Sequence, residues 1–147
     1  MPSGMRDDPF GNFNFLVEID GVTASGFAEV VMPEGSARVI EYRTGSEPNT
    51  VRKLPGRVSY GNIILRRGIT KSKELWDWWK KVVDGRTERR NLSIVLLHES
   101  RTEVMRWNVR EAWPVRYHIG DLNAKGNDAL IEELEIAHEG FELETGH

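Results

Sequence analysis

The side chains best suited to ligating a metal or moving a proton near neutrality are the four histidines, His98, His118, His138 and His147. No two of them are close in sequence, and no HExxH pair is present. His138 has a carboxylate four residues on, Glu142, but that segment is dense in acids and such a spacing arises there by chance. Cysteine is absent, which removes disulfides, thiolate metal sites and thiol nucleophiles together. Neither a glycine-rich phosphate loop ending in Lys nor a GxSxG elbow occurs. Asp and Glu are plentiful, but a carboxylate pair becomes catalytic only where a cleft shifts its pKa values, so solvated faces are the expectation. The residues therefore point to no enzyme, no cofactor and no metal.

Five tryptophans need another role. Trp76, Trp78 and Trp79 cluster with Leu75 and Val82, and Leu75, Trp78, Trp79 and Val82 fall at i, i+3, i+4 and i+7. That spacing predicts one apolar face of a helix running to about Val83, capped at Thr70 or Ser72 and ended by Gly85. Trp107 and Trp113 lie on predicted strands. Core and interface packing is the expected use of all five. The competing use is a stacking surface for single-stranded nucleic acid, since Lys80, Lys81, Arg86, Arg89 and Arg90 follow the helix. The acidic balance of the chain and the lack of an RNA-binding signature weigh against it.

Around that helix the pattern is β. Asn12 to Ile19 alternates apolar and polar residues, followed by an Asp20-Gly21 turn. Val22 to Val31 reads as a strand bulged at Gly26, and Arg38 to Arg43 and Val58 to Arg67 as two more. Asn91 to Leu97 is apolar on both faces, the mark of a central strand. Glu103 to Val109 and Ala112 to His118 read as separate strands. Thr44 to Arg57 has no periodicity and contains Gly45, Pro48, Pro55 and Gly56, which predicts a long extended loop. Asp128 to Leu143 fits both a helix and a strand, and propensity alone favours helix.

At 147 residues, with no apolar run long enough to span a bilayer, the expectation is a single soluble domain whose residues 1–8 are flexible. Charge is unevenly spread. Val51 to Arg90 carries twelve basic and four acidic residues, whereas Asp128 to His147 carries seven acidic and no basic ones. The two stretches can neutralise each other inside one fold or attract copies head to tail.

The order of segments resembles the tail tube proteins of contractile phages and extracellular contractile injection systems. The resemblance rests on DPFGNFNFLVEIDG (Asp8–Gly21), VIEYR (Val39–Arg43), RKLPGRVSYGNIILRRGIT (Arg52–Thr70) and ELWDWW (Glu74–Trp79). It continues through RWNVREAWPVRY (Arg106–Tyr117), DLNAKGND (Asp121–Asp128) and ELEIAHEGFE (Glu133–Glu142). At the turn His98–Thr102, where relatives often carry Gly, this sequence has Ser100-Arg101.

The resemblance implies a mainly β fold: two packed antiparallel sheets forming a β-barrel, one flanking α-helix, and a C-terminal segment that is strand. It implies hexameric rings stacked into a tube, with sheath, baseplate and tube-terminating proteins as partners, possible lumen cargo, no membrane insertion of its own and no nucleic-acid specificity. Assembly is expected in the cytoplasm, as part of a phage tail-like particle. The Thr44–Arg57 loop is the expected inter-ring contact, through Thr44, Glu47, Asn49, Arg52, Lys53 and Arg57. Glu139, Glu142 and Glu144 are its expected acidic counterpart. A baseplate protein that starts the tube is the alternative within the same fold.

Overall fold

A computed structural model describes residues 13–24, 26–43, 45, 51–126 and 129–145. Among the described residues ten strands and one helix follow in the order β1 (Asn14–Ile19), β2 (Val22–Ala24), β3 (Phe27–Val31), β4 (Gly35–Tyr42), β5 (Arg52–Tyr60), β6 (Ile63–Gly68), α1 (Glu74–Val83), β7 (Arg90–Leu97), β8 (Glu103–Ile119), β9 (Ile131–Ala137) and β10 (Gly140–Leu143). The main sheet runs β2-β1-β7-β8-β9-β6-β3, all antiparallel, with β10 also on β8; β4 and β5 form a separate two-stranded sheet.

One strand makes two sheets out of this path. β8 is a single 17-residue strand where the sequence suggests two. Its first part pairs with β7 and β10, and its second part, from Trp113, pairs with β9. Between them Glu111 takes φ +54°, and its N–H donates to Asn91 Oδ1 at 3.1 Å. This bulge turns the corner, the usual way a strand passes from one packed sheet to the other. A second switch is Gly26 at φ +81°, which splits the expected Val22–Val31 strand: β2 pairs β1, while β3 pairs β6.

The core lies between the two halves. Val17 and Ile19, Ile63 and Leu65, Leu92 and Ile94, and Leu134 and Ile136 point inward at period two. From α1, Leu75 and Trp78 are fully buried, while Trp79 and Val82 are half-buried. Trp78 also donates from Nε1 to Glu88 O at 2.8 Å and has the Arg90 guanidinium 5.0 Å from its ring centre. The helix starts at Glu74 after Lys73, whose own side chain makes no cap bond, while the Ser72 hydroxyl accepts from Glu74 N at 3.5 Å; Thr70 Oγ1 instead accepts from Ser72 N at 3.2 Å.

The C-terminal segment is β-structure, interrupted at His138–Glu139. Its helix-favouring residues are held extended because β9 sits between β6 and β8, with every second side chain inward; tertiary pairing overrides propensity. The expected barrel does not close within one chain. β2 and β3 end the strand path without pairing each other.

Candidate assembly interface

The last part of the loop expected over Thr44–Arg57 is a strand. Residues 52–57 belong to β5, which pairs with β4 from Tyr42↔Arg52 to Gly35↔Tyr60. Pro55 and Gly56 hid this strand from periodicity. A register shift between Ala37 and Val39 accommodates them. Gly56 suits the close approach there, because a Cβ would crowd Arg38 O at 3.0 Å and the Ile40 side chain at 3.2 Å. Thr44, Glu47 and Asn49 lie outside the described residues.

The hairpin carries apolar side chains on both faces and covers neither. On one face stand Ala37, Val39, Pro55 and Val58; on the other, Ile40, Leu54 and Tyr42. Val39 and Val58 are 59% and 60% exposed, Ile40 and Leu54 49% and 44%. The two strands pack chiefly on each other. The hairpin is held at its root: Gly61 N donates to Glu34 O at 2.9 Å, His138 Nε2 bonds Gly61 O at 2.9 Å, and the Tyr60 ring meets Phe141 at 5.8 Å. It is also basic, with Arg38, Arg43, Arg52, Lys53 and Arg57 against the single acid Glu41 among the described residues. None of these five cations makes an ion pair with a described carboxylate.

Much of the charge outside the hairpin is paired within the chain. Arg67 on β6 and Glu132 on β9, both buried, meet at 2.7 Å, and Tyr117 donates its hydroxyl to Glu132 at 2.7 Å. Burial first, then that hydrogen bond, pushes the Tyr117 phenol up. On the outward face of the same strands Glu29, Arg66, Glu133, Arg116, Glu135 and Asn62 form a ladder with contacts of 2.6–3.0 Å. The acidic residues assigned from sequence are mostly engaged: Glu139 with Arg89 at 2.7 Å, and Glu144 with Asn108 at 3.3 Å and Arg106 at 3.8 Å. Glu142 is exposed on β10 opposite Asn108.

Of the basic residues in and after the Trp helix, all but the exposed Arg86 are paired. Lys80 bonds Asp84, Lys81 and Arg90 reach Glu88, and Arg89 lies 6.0 Å from the Trp113 ring centre. Cations and aromatic faces there satisfy one another. Among the described residues no group of three or more potential ligands could hold a metal, and no helix is long and apolar enough to cross a membrane.

A second apolar feature was not legible in the sequence. Where the two sheets diverge, an open cleft of about 670 Å³ is lined by Phe13, Phe15, Val30, Met32, Leu96 and Trp107, with Glu29 its one charged lining residue. The strand alternation placed Phe13 and Phe15 on the inward face, but only the fold shows that this end of the core is left open.

The sequence model of the T4-like virus tail tube protein gp19 family matches residues 11–142. The chain belongs to the tail tube protein family. No curated protein matches it by sequence. Among solved structures it is similar to a chain of the PVC sheath–tube complex of an extracellular contractile injection system in the extended state. Identity there is 25% and the TM-score 0.86, over 99% of both chains. It is also similar to a chain of the anti-feeding prophage baseplate, with 26% identity and TM-score 0.82 over 94% of this chain and 97% of that one. Hcp1 from Flavobacterium johnsoniae shares the fold at 18% identity and TM-score 0.55, over 90% of this chain and 95% of that one. Tail tube proteins are structural subunits, and the uncovered hairpin and unclosed sheet are the features of this member that an assembly would use.

Proposed function

We propose that this chain is the repeating subunit of the inner tube of a phage-like contractile injection system. Six copies close into a ring, rings stack into a hollow tube, and contraction of a surrounding sheath drives the tube through a target membrane. The observation that carries this reading is the β4–β5 hairpin. It exposes apolar side chains on both faces, and a lone soluble domain rarely leaves such a surface uncovered. The lateral contact is sheet pairing, since β2 and β3 end the strand path unpaired with each other and strand edges are stable only when covered. The axial contact is the hairpin, with Thr44, Glu47, Asn49, Arg52, Lys53 and Arg57 facing Glu139, Glu142 and Glu144 of the next ring. Arg52, Lys53 and Arg57 have no described ion-pair partner in their own chain, which leaves their charge for a neighbour. Sheath, baseplate and tube-terminating proteins are the partners in this reading, and the lumen carries cargo.

Similarity to a baseplate chain supports a second reading, a ring that starts the tube. Negative-stain images of the purified protein separate the two. A main tube protein forms hollow tubes of many rings with six-fold end views, whereas an initiator stops at single rings. A preparation that contains only monomers contradicts both.

A further inference from the structure

We propose that the cleft between Phe13, Phe15, Leu96 and Trp107 on one side and Val30 and Met32 on the other is the socket for the β4–β5 hairpin of a second copy, entered by the Ile40–Leu54 pair. This rests on reading the hairpin as the stacking element and names what it stacks into.

The two features complement each other. The cleft is almost wholly apolar and opens to solvent. Ile40 and Leu54 are direct register partners, exposed on one hairpin face, with Arg52 and Tyr42 next to them on that face. The only charged residue lining the cleft is the acid Glu29. Glu29 pairs with Arg66 at 2.8 Å and stays half exposed at the edge of the cleft. An apolar socket with one acid at its rim suits an apolar hairpin face that carries Arg52, with the rim charge setting orientation more than affinity.

The hairpin cannot fill its own socket. Met32 stands three residues before Gly35, so the cleft lies beside the hairpin's root. From that root β4 runs extended to Ile40, five residues on, roughly 17 Å at about 3.3 Å each. Root and outer half are therefore too far apart to meet within one chain, and the outer half must enter another copy. A tip-to-root contact of this kind is heterologous and repeats without limit along an axis.

The absence of native cysteine makes a direct test available. Ile40→Cys and Met32→Cys are combined in one chain, both at exposed positions, and the assembled protein is oxidised. The expected result is a ladder of disulfide-linked multimers on a non-reducing gel, while each single variant yields dimers at most. A second pair, Leu54→Cys with Phe13→Cys, is expected to ladder as well and guards against failure of one variant to fold. Tubes that form normally but give no ladder with either pair overturn the socket and leave the stacking role standing. A ladder from Val58→Cys with Met32→Cys alone overturns it too, because the opposite hairpin face would then be docked. If the unsubstituted protein forms no tubes, the stacking reading itself fails, and the socket with it.

Discussion

Arg67 Nε donates to Glu132 Oε1 at 2.7 Å across β6 and β9, with both side chains almost fully buried. The pair lies on the inward face, in step with Ile63 and Leu65 on one strand and Leu134 and Ile136 on the other. Phe27 covers the guanidinium at 5.4 Å, and Tyr117 bonds the second carboxylate oxygen. Removing one member of a buried pair leaves an uncompensated charge in the interior. Glu132→Ala is therefore expected to cost about 3–5 kcal/mol. Urea denaturation of the variant measures this, and a loss below about 1 kcal/mol would show that water reaches Arg67.

The Trp helix gives a graded prediction. Trp78 is fully buried and bonded to Glu88 O, whereas Trp79 is half-buried and Trp76 exposed. Trp78→Ala should cost about 3–5 kcal/mol. Trp79→Ala should cost clearly less, and Trp76→Phe little. Equal losses at 78 and 79 would mean that the helix is rotated relative to the core.

Arg101 occupies the left-handed region at φ +70° in the turn closed by His98 N donating to Thr102 O. A side chain is strained there by roughly 1–2 kcal/mol, partly offset because glycine gains freedom in the unfolded chain. Arg101→Gly is expected to raise stability by up to about 1 kcal/mol, read as a higher melting temperature. A lower one would show that the Arg101 side chain makes a contact that outweighs the strain.

Acid should weaken the fold through its carboxylates. Hydrogen bonds from Lys81 and Arg90 hold Glu88 below its ordinary value, and those from Asn62 and Arg116 do the same for Glu135. At Glu133 burial acts upward, but Arg116 and Arg66 outweigh it and the net shift is downward. A lowered folded pKa contributes stability above the unfolded value, near 4.3 for Glu, which is lost as pH falls through the folded one. Melting temperature is expected to be flat from pH 7 to about 5 and to fall below about pH 4. Glu133→Gln should flatten that acid limb. A melting temperature that holds constant down to pH 3 would contradict the assignment.

The parts of the fold legible in the sequence are those where one local pattern dominates. Alternation marked β1, a run apolar on both faces marked β7, and the Leu75–Val82 stripe marked α1. Signals failed where tertiary pairing decides. Pro55 and Gly56 read as loop, yet the bulge opposite Ala37–Val39 carries them inside β5. The acidic C-terminal segment reads as helix by propensity and is extended because two strands flank it. The buried Arg67–Glu132 pair was implicit in the period-two step from Ile63 and Leu65, but charge argued for solvent. The charge asymmetry of the chain resolved in large part into intrachain ladders, with the hairpin cations among the charges left without an intrachain ion pair.

The central claim is that the β4–β5 hairpin joins copies into a tube without contributing to the fold of its own chain. The most direct measurement compares the intact protein under the electron microscope with a variant in which Ala37–Val58 is replaced by a short Gly-Asn turn. Circular dichroism and melting should match the intact protein, with rings present but long tubes absent. Tubes of normal length from the shortened chain, or a shortened chain that does not fold, would contradict it.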